Sequence, residues 1–467
     1  MSSWISKVAL ALLGVFVLLQ GWSQVNSPFS RFGLGEVNTL PFSTQRGFGN
    51  LSAGVSSYNF INNINPASYT GFYQEEYTPY QRIVRRDSMR LNPNTGKQER
   101  VYYRDTLQRD TLSYVYKSTT FETGVDGTIL NTFNENESTQ SGDGSLSYLA
   151  MGFPIPKFGG ISFGLMPYTS IGYDVINRTT LDTTEIAYRY QGEGGLRQFY
   201  VGAAGRLGDL SIGFNGRVLF GTLTTTSLVY FPGMANTFGT RTVIRNTVGG
   251  MVWEGGAQYE WSLNKDLILR LGAYGSLPSA INTRTDTINE RVIFNTTEQF
   301  ATVESDTLVE DAANAIDFPL TYGGGLVLEK PGEWLVGIDY RGEQWSDIRG
   351  FLADQPQNNS YRVAFGGQIA PNPQGSFFGR AKYRVGGYFG QTPLILNGSA
   401  VEDFGMTLGV GIPIIRPRQK LHSSMDVALQ IGRLGNVQEN GFAENYVKLT
   451  LGFNLNDNNW IFKSKYY

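Results

Sequence analysis

The stretch Leu210-Ser-Ile-Gly-Phe-Asn-Gly-Arg-Val-Leu-Phe220 decides the fold. Leu210, Ile212, Phe214, Val218 and Phe220 alternate with Ser211, Gly213, Asn215, Arg217 and Leu219. A period of two sends successive side chains to opposite faces of a strand. A strand lying on a protein core would turn Lys, Glu and Thr toward open water. Here the second face is mostly Gly with scattered Arg, Asp and Gln, both in this strand and in others like it. That suits the lumen of a closed barrel whose outside meets lipid.

Alternation and turn signals place further strands of this kind on both sides. Four precede it, near Ser118–Ile129, Ser145–Pro154, Ile161–Val175 and Leu196–Leu207. After it come Val248–Trp261, a seventh strand opening at Leu267, Leu320–Glu329, Glu333–Arg341 and Tyr361–Ile369. Phe377–Phe389, Phe404–Ile414, Ser424–Gly432 and Tyr446–Leu455 complete the set. The connectors alternate short and long, with polar stretches such as Asn131–Asp143 expected as loops. Short turns on one side, longer loops on the other and an even strand number are the habit of outer-membrane barrels. The expected fold is therefore all-β: an antiparallel transmembrane β-barrel of about 14 strands (residues 116–455), with both chain ends in the periplasm of a Gram-negative bacterium.

Lys7, the apolar run Val8–Leu19 and the small residues Gly21 and Ser23 read as a signal peptide over residues 1–23. No later apolar run is long enough for a membrane helix. The mean hydropathy of −0.22 fits a barrel, because only every second strand residue faces lipid. Glycine is abundant at 57 of 467 residues, against a usual ~7%. The chain has no Cys and one His, His422, which argues against thiol catalysis, His-based triads and metal centres. His422 and Ser423 are neighbours on a strand end and face opposite ways, so they form no dyad. The expectation is no enzyme, no catalytic residue, no cofactor and no metal. A net charge of −2 gives no electrostatic case for nucleic acid.

Residues 24–70 do not read as membrane strands. They contain Arg46-Gly-Phe-Gly-Asn-Leu-Ser-Ala-Gly-Val55 and then Asn65-Pro66-Ala67, and would make a plug whose backbone is satisfied by lumenal polar groups. Residues 71–115 form a charged insert with Arg85-Arg86-Asp87 and two Arg-Asp-Thr-Leu copies at 104–107 and 109–112. It reads as a solvated loop, a periplasmic docking element, or two more strands that would raise the count to 16. Asp-Thr pairs at Asp182, Asp286 and Asp306 read as turn chemistry. Residues 456–467 form a C-terminal periplasmic tail.

The Arg46–Val55 stretch followed by Asn65, Pro66 and Ala67, together with the strand count and the run from Ser145 to Tyr173, resembles the FadL family of outer-membrane transporters of hydrophobic molecules. The resemblance implies an N-terminal hatch in the lumen and a kinked third strand that opens the wall sideways. Pro167 falls in the middle of that strand here. Asn26–Gly35 and the C-terminal Trp460–Tyr467 are similar to Bacteroidetes-type members, where a branch similar to PorV serves protein secretion rather than uptake. The resemblance thus implies passive uptake of hydrophobic or amphiphilic small molecules through a plugged lumen with a lateral opening at Pro167; the alternative is a non-transporting subunit of an outer-membrane assembly or secretion complex, with the charged insert and the tail after Leu455 as its contact surfaces. Its partners would be outer-membrane lipid, a hydrophobic small-molecule cargo, or other outer-membrane proteins.

Alternation also turns Arg380, Lys382 and Arg384 to the lumen, along with Arg270 and Arg362. Such a cluster could hold an amphiphile's carboxylate through bidentate hydrogen bonds. The competing and favoured reading is an internal salt-bridge network that braces the barrel or pins the plug, because Asp339, Asp426, Glu254 and Glu260 also point inward.

Overall fold

The computed structural model describes residues 27–38, 41–91, 93, 96–234, 237–294, 300–347, 357–372, 375–414 and 423–457. The signal segment, His422 and most of the tail lie outside these residues. A short strand, β1 (Glu36–Val37), precedes a hairpin of β2 (Tyr73–Leu91) and β3 (Gln98–Lys117). The wall then follows as β4 (Thr119–Phe133), β5 (Ser138–Ile155), β6 (Gly159–Pro167), β7 (Thr169–Leu181), β8 (Thr184–Leu207), β9 (Leu210–Tyr230) and β10 (Phe238–Ser262). It continues as β11 (Ile268–Ser276), β12 (Ser279–Phe294), β13 (Phe300–Phe318), β14 (Thr321–Lys330), β15 (Trp334–Glu343) and β16 (Ser360–Ile369). β17 (Lys382–Leu396), β18 (Ser399–Ile414), β19 (Ser423–Leu434) and β20 (Ala443–Asp457) complete it.

Every wall pairing is antiparallel, and β20 pairs with β4 from Ala443↔Phe133 to Asp457↔Thr119, which closes the sheet. Three wall strands are each split in two: β6 and β7, β11 and β12, β13 and β14. Both β11 and β12 pair with β10, while β14 pairs with β11 and β13 with β12. Seventeen segments therefore make a barrel of 14 strands. A proline sits at each split: Pro167, Pro278 and Pro319. Proline offers no N–H to a ladder, so pairing is interrupted there.

The faces follow the alternation. Ile212 and Phe214 are 51% and 57% exposed, whereas Ser211 before them and Asn215 and Arg217 after them are buried in the lumen. Trp253 on β10 lies across Gly216 of β9, covering a gap in the apolar outer face.

Two sequence-level expectations need correction. The polar stretches expected as long loops are mostly strand. β8, β9 and β10 run 24, 21 and 25 residues, about twice what a bilayer crossing needs. Beyond the apolar band their ladders continue through polar pairs, such as Arg178–Glu185 at 3.2 Å, and Arg241 with Glu290. Some of the turns are tight: Asn397 and Gly398 have φ of 52° and 81°, a two-residue hairpin between β17 and β18. Asp182, with φ 53°, does sit at a turn, but Asp286 and Asp306 lie within β12 and β13. Second, the charged insert is neither a loop nor part of the wall. It is the separate β2–β3 hairpin, paired from Tyr73↔Lys117 to Leu91↔Gln98. Both Arg-Asp-Thr-Leu copies lie on β3 and so do not pair with each other.

A charge placed on the lipid face should be costly. Phe214→Arg is expected to lower barrel stability by about 2–4 kcal/mol near mid-bilayer. Equilibrium unfolding in lipid vesicles measures this, and an unchanged midpoint would contradict the assigned face.

Candidate functional site: a welded plug and a lumenal chamber

Residues 41–72 occupy the lumen. Phe42, Ile61, Tyr69 and Phe72 pack with Tyr148, Met166 and Tyr200 of the wall, and Phe48, Leu51 and Val55 with Val327, Leu335 and Tyr388. The inward glycines explain how so much chain fits. A Cβ at Gly272 would lie 1.8 Å from the carbonyl oxygen of Ala53, and one at Gly366 would lie 2.3 Å from that of Phe48. Gly213, in the strand that opened the reading, lets the Pro66–Ala67 peptide approach in the same way.

Polar contacts then fix the plug in place. The Arg46 guanidinium donates to both carboxylate oxygens of Asp126 on β4, at 2.8 and 2.7 Å, and to Ser147 Oγ at 2.9 Å. It also donates to the Pro41 carbonyl at 2.6 Å. The backbone N–H groups of Ser52 and Ala53 donate to Asp339 Oδ2 at 2.5 and 2.8 Å, and that of Ile61 to Glu122 at 2.5 Å. Gln258 on β10 donates to the carbonyls of Ala53 and Val55, and Arg217 on β9 to that of Asn63. Plug backbone that no sheet could satisfy is thus satisfied by inward side chains of the wall.

The Asn65-Pro66-Ala67 motif acts locally. Asn65 accepts from the Ala67 N–H at 3.1 Å and so caps the short helix Pro66–Phe72. Its amide donates to the Ala53 carbonyl at 2.7 Å. Pro66 at the first helical position gives up no bond, because that N–H would have no helical partner.

Pro167 ends β6, and from there the third wall strand leaves β5. β6 pairs with both β5 and β8, whereas β7 pairs with β8 and with β1. Glu36↔Ser170 and Val37↔Thr169 are the β1 pairs, Asn38 N–H donates to the Tyr168 carbonyl at 2.7 Å, and Ser27 N–H to that of Gly172 at 2.9 Å. Among the described residues no pairing joins β7 to the facing edge of β5 at 138–148. The residues just ahead of the plug instead hydrogen-bond along that edge of β7.

The five basic candidates do not form one cluster. Arg270 lies between Glu260 at 3.1 Å and Glu329 at 2.9 Å. Arg384 pairs with Asp426 and donates to Gln368 at 2.8 Å. Arg362 pairs with Asp403 at 2.9 Å and lies 3.9 Å over the Tyr388 ring. Lys382 opens β17, two residues from Arg384. Arg380 is not on the strand: it ends the short helix Phe377–Arg380, which displaces the expected strand start by five residues. Backbone bonds hold that turn: the Arg380 N–H donates to the Ser376 carbonyl at 3.1 Å, and the Asn372 N–H to that of Gly379 at 2.8 Å. The sequence reading passed over Glu122 and Asp126 as plug anchors. The available signal was a carboxylate at an inward strand position opposite a glycine-rich segment.

Between the plug and the far half of the lumen lies a chamber of about 240 Å³. Arg362 is the one basic candidate that lines it. A smaller space of about 50 Å³ shares Asn38, Ile64, Tyr274, Arg341 and Glu343 with it and reaches Tyr168 at the strand break. Among the described residues no group of His, Cys, Asp and Glu could hold a metal ion.

A closed 14-stranded wall, an apolar belt and a lumen filled by the chain's own N-terminal segment define a plugged transmembrane β-barrel. The family model described as BamG matches residues 4–467, and the chain belongs to that family. No curated protein matches the chain. Among solved structures it is similar to the Pseudomonas putida toluene transporter TodX, at 12% identity over 73% of this chain and 90% of that one, with a TM-score of 0.48. It is also similar to a Pseudomonas aeruginosa FadL homologue, at 11% identity over the same shares and a TM-score of 0.44. The Ralstonia pickettii toluene transporter TbuX gives 12% identity over 72% of this chain and 89% of that one, with a TM-score of 0.44.

Removing one side of a buried pair leaves the other charge uncompensated, at a cost of about 3–5 kcal/mol. Arg46→Met is expected to lower stability by that amount and to expose residues 41–72 to protease, while Arg46→Met with Asp126→Leu recovers most of the loss. Gly272→Val is expected to release the 51–55 loop without unfolding the wall. Limited proteolysis with mass mapping reads both, and a plug that stays protected in either single variant would contradict the contacts described.

Proposed function

We propose that the chain is a non-enzymatic, plugged barrel of the Gram-negative outer membrane that serves as a subunit of a protein assembly or secretion complex. The observation that carries this reading is the fit between plug and wall. A buried bidentate ion pair, main-chain donors seated on Asp339 and Glu122, and glycines matched to plug backbone make a static core rather than a gate. Three of the basic side chains that could have held a carboxylate cargo are instead spent on acids of the wall. Membership of the BamG family supports the same side of the choice.

The contact surfaces would be the two features that no membrane crossing requires. One is the β2–β3 hairpin, about 60 Å of strand at ~3.3 Å per residue, which leaves the wall at Phe72 and returns at Ser118, the short-turn and hence periplasmic rim. An isolated two-stranded hairpin is marginal in water, so a binding partner would stabilise it. The other is the sheet formed beyond the bilayer by the long ends of β8, β9, β10, β12 and β13.

Passive uptake of a hydrophobic or amphiphilic small molecule is the second reading. The chamber, its smaller neighbour and the wall break at Tyr168 favour it, because together they mark a course from lumen to membrane. Its driving force would be the transfer of cargo from water to lipid.

Purification from native membranes after mild crosslinking separates the two. The expected result is stoichiometric outer-membrane protein partners, lost on deletion of residues 75–115 while the barrel stays folded. Recovery of the chain alone, together with entry of a hydrophobic dye into vesicles carrying it, would overturn the subunit reading in favour of uptake.

A further inference from the structure

The β2–β3 hairpin is divided in two by charge. Its outer half, residues 82–104, holds seven cations against two acids, Asp87 and Glu99, for a net charge of +5. The half nearer the wall, residues 73–81 and 105–117, holds two cations and four acids. The whole chain carries −2, so the positive charge belongs to this end and not to the protein at large. The described side chains there stand in water: Met89 is 59% and Tyr102 68% exposed, and Arg90, Lys97 and Arg100 are exposed as well. Among the described residues this outer half has one ion pair, Arg100 with Asp87 at 3.2 Å, and that pair is itself exposed.

The register works against the hairpin on its own. Arg85 and Arg104 are cross-strand partners, and Met89↔Arg100 follows further out. Like charges directly opposite destabilise a ladder, and a two-stranded hairpin is marginal in water to begin with. An anionic surface against this end removes the repulsion. The residue types select the kind of anion. Six of the seven cations are Arg, and Met89, Tyr102 and Tyr103 are interleaved with them. Arg, Tyr and Met are enriched at protein interfaces, whereas Lys is depleted. A planar guanidinium also holds a carboxylate through two hydrogen bonds. An anionic lipid surface asks only for positive charge, which Lys supplies equally. A second copy of the hairpin would set +5 against +5.

We infer that the outer half of the hairpin docks on an acidic, carboxylate-bearing face of a periplasmic protein. This rests on the subunit reading and adds the chemistry of the partner's surface to it. Carboxylates of the partner answer the positions of Arg85, Arg100 and Arg104, while Met89 and Tyr102 supply the apolar part of the contact. Opposite charge also steers the encounter, so the complex is sensitive to salt.

Charge reversal in the full-length chain tests the assignment. Crosslinked complexes are purified from native membranes carrying the wild type, a triple Gln variant (Arg85→Gln, Arg100→Gln, Arg104→Gln) or the matching triple Glu variant. Partner recovery is expected to fall severalfold with Gln and at least tenfold with Glu, while the barrel keeps its resistance to protease. Added salt should weaken the wild-type complex more than that of the Gln variant. The chain has no Cys, so Tyr102→Cys carries a single benzophenone whose adduct maps the face that is touched. That face is expected to be rich in Asp and Glu, and changing those acids to Lys should restore the complex with the Glu variant. Full recovery with the Glu variant, or a mapped face without acids, overturns the inference. A fluorophore at the same position that shifts to the blue in phosphatidylglycerol nanodiscs, and not in phosphatidylcholine ones, would assign this end to lipid and overturn it too. Partners kept by the Glu variant but lost on deletion of residues 75–115 would leave the subunit reading standing without this one. No partner with the wild type would sink both.

Discussion

Everything in the lumen depends on how closely one backbone approaches another. Between the plug and the wall there are positions where a single methyl group would meet a carbonyl oxygen at about two ångströms or less, as Gly272 does opposite Ala53. Glycine is expensive in a strand, because it packs no side chain and loses more conformational entropy on ordering. Here it is used where it removes a barrier to contact. With the approach allowed, dispersion and hydrogen bonding hold more than thirty residues of irregular chain inside a sheet that could not otherwise satisfy them.

The acids complete what the glycines permit. Glu122, Asp126 and Asp339 are inward carboxylates in a low-dielectric space, where an unpaired charge is costly. Each is answered by the plug: two by its amides and one by its arginine. The plug in turn would be an unfolded segment without them, so wall and plug are each incomplete alone. That mutual dependence favours a fixed core over a movable one, and it shifts attention from the lumen to the surfaces outside the bilayer.

The outer extensions show why loop length was hard to read. Asn131–Asp143 and the Thr-rich ends of β9 and β10 lack the sustained apolar alternation of the membrane band, although a small cluster of Ala187, Leu228, Tyr230 and Val292 is buried among the extensions of β8, β9 and β12. Their pairing rests on cross-strand ion pairs and hydroxyl contacts, such as Arg241 with Glu290, which leave no periodic trace in one strand read alone. The prolines were more legible than the use made of them. Pro167 reads as a break from the sequence because it interrupts an apolar alternation, whereas Pro278 and Pro319 split their strands just as plainly at the edges of polar stretches with no alternation to interrupt. Among the basic residues, Arg380 was misplaced because four residues of helix carry no useful period.

By itself the sequence determined the alternation, the lipid-facing side chains, the 14 strands and the existence of an N-terminal plug, since each is written in local period and composition. Tertiary structure alone decided which lumenal charges are spent and which are free. Arg270, Arg362 and Arg384 look like a cation cluster in one dimension and are matched to acids up to 59 residues away in three. Burial of the plug inside the closed barrel brings the Ser52 and Ala53 N–H groups to Asp339, 287 and 286 residues further along the chain, because irregular backbone finds no ladder partners of its own.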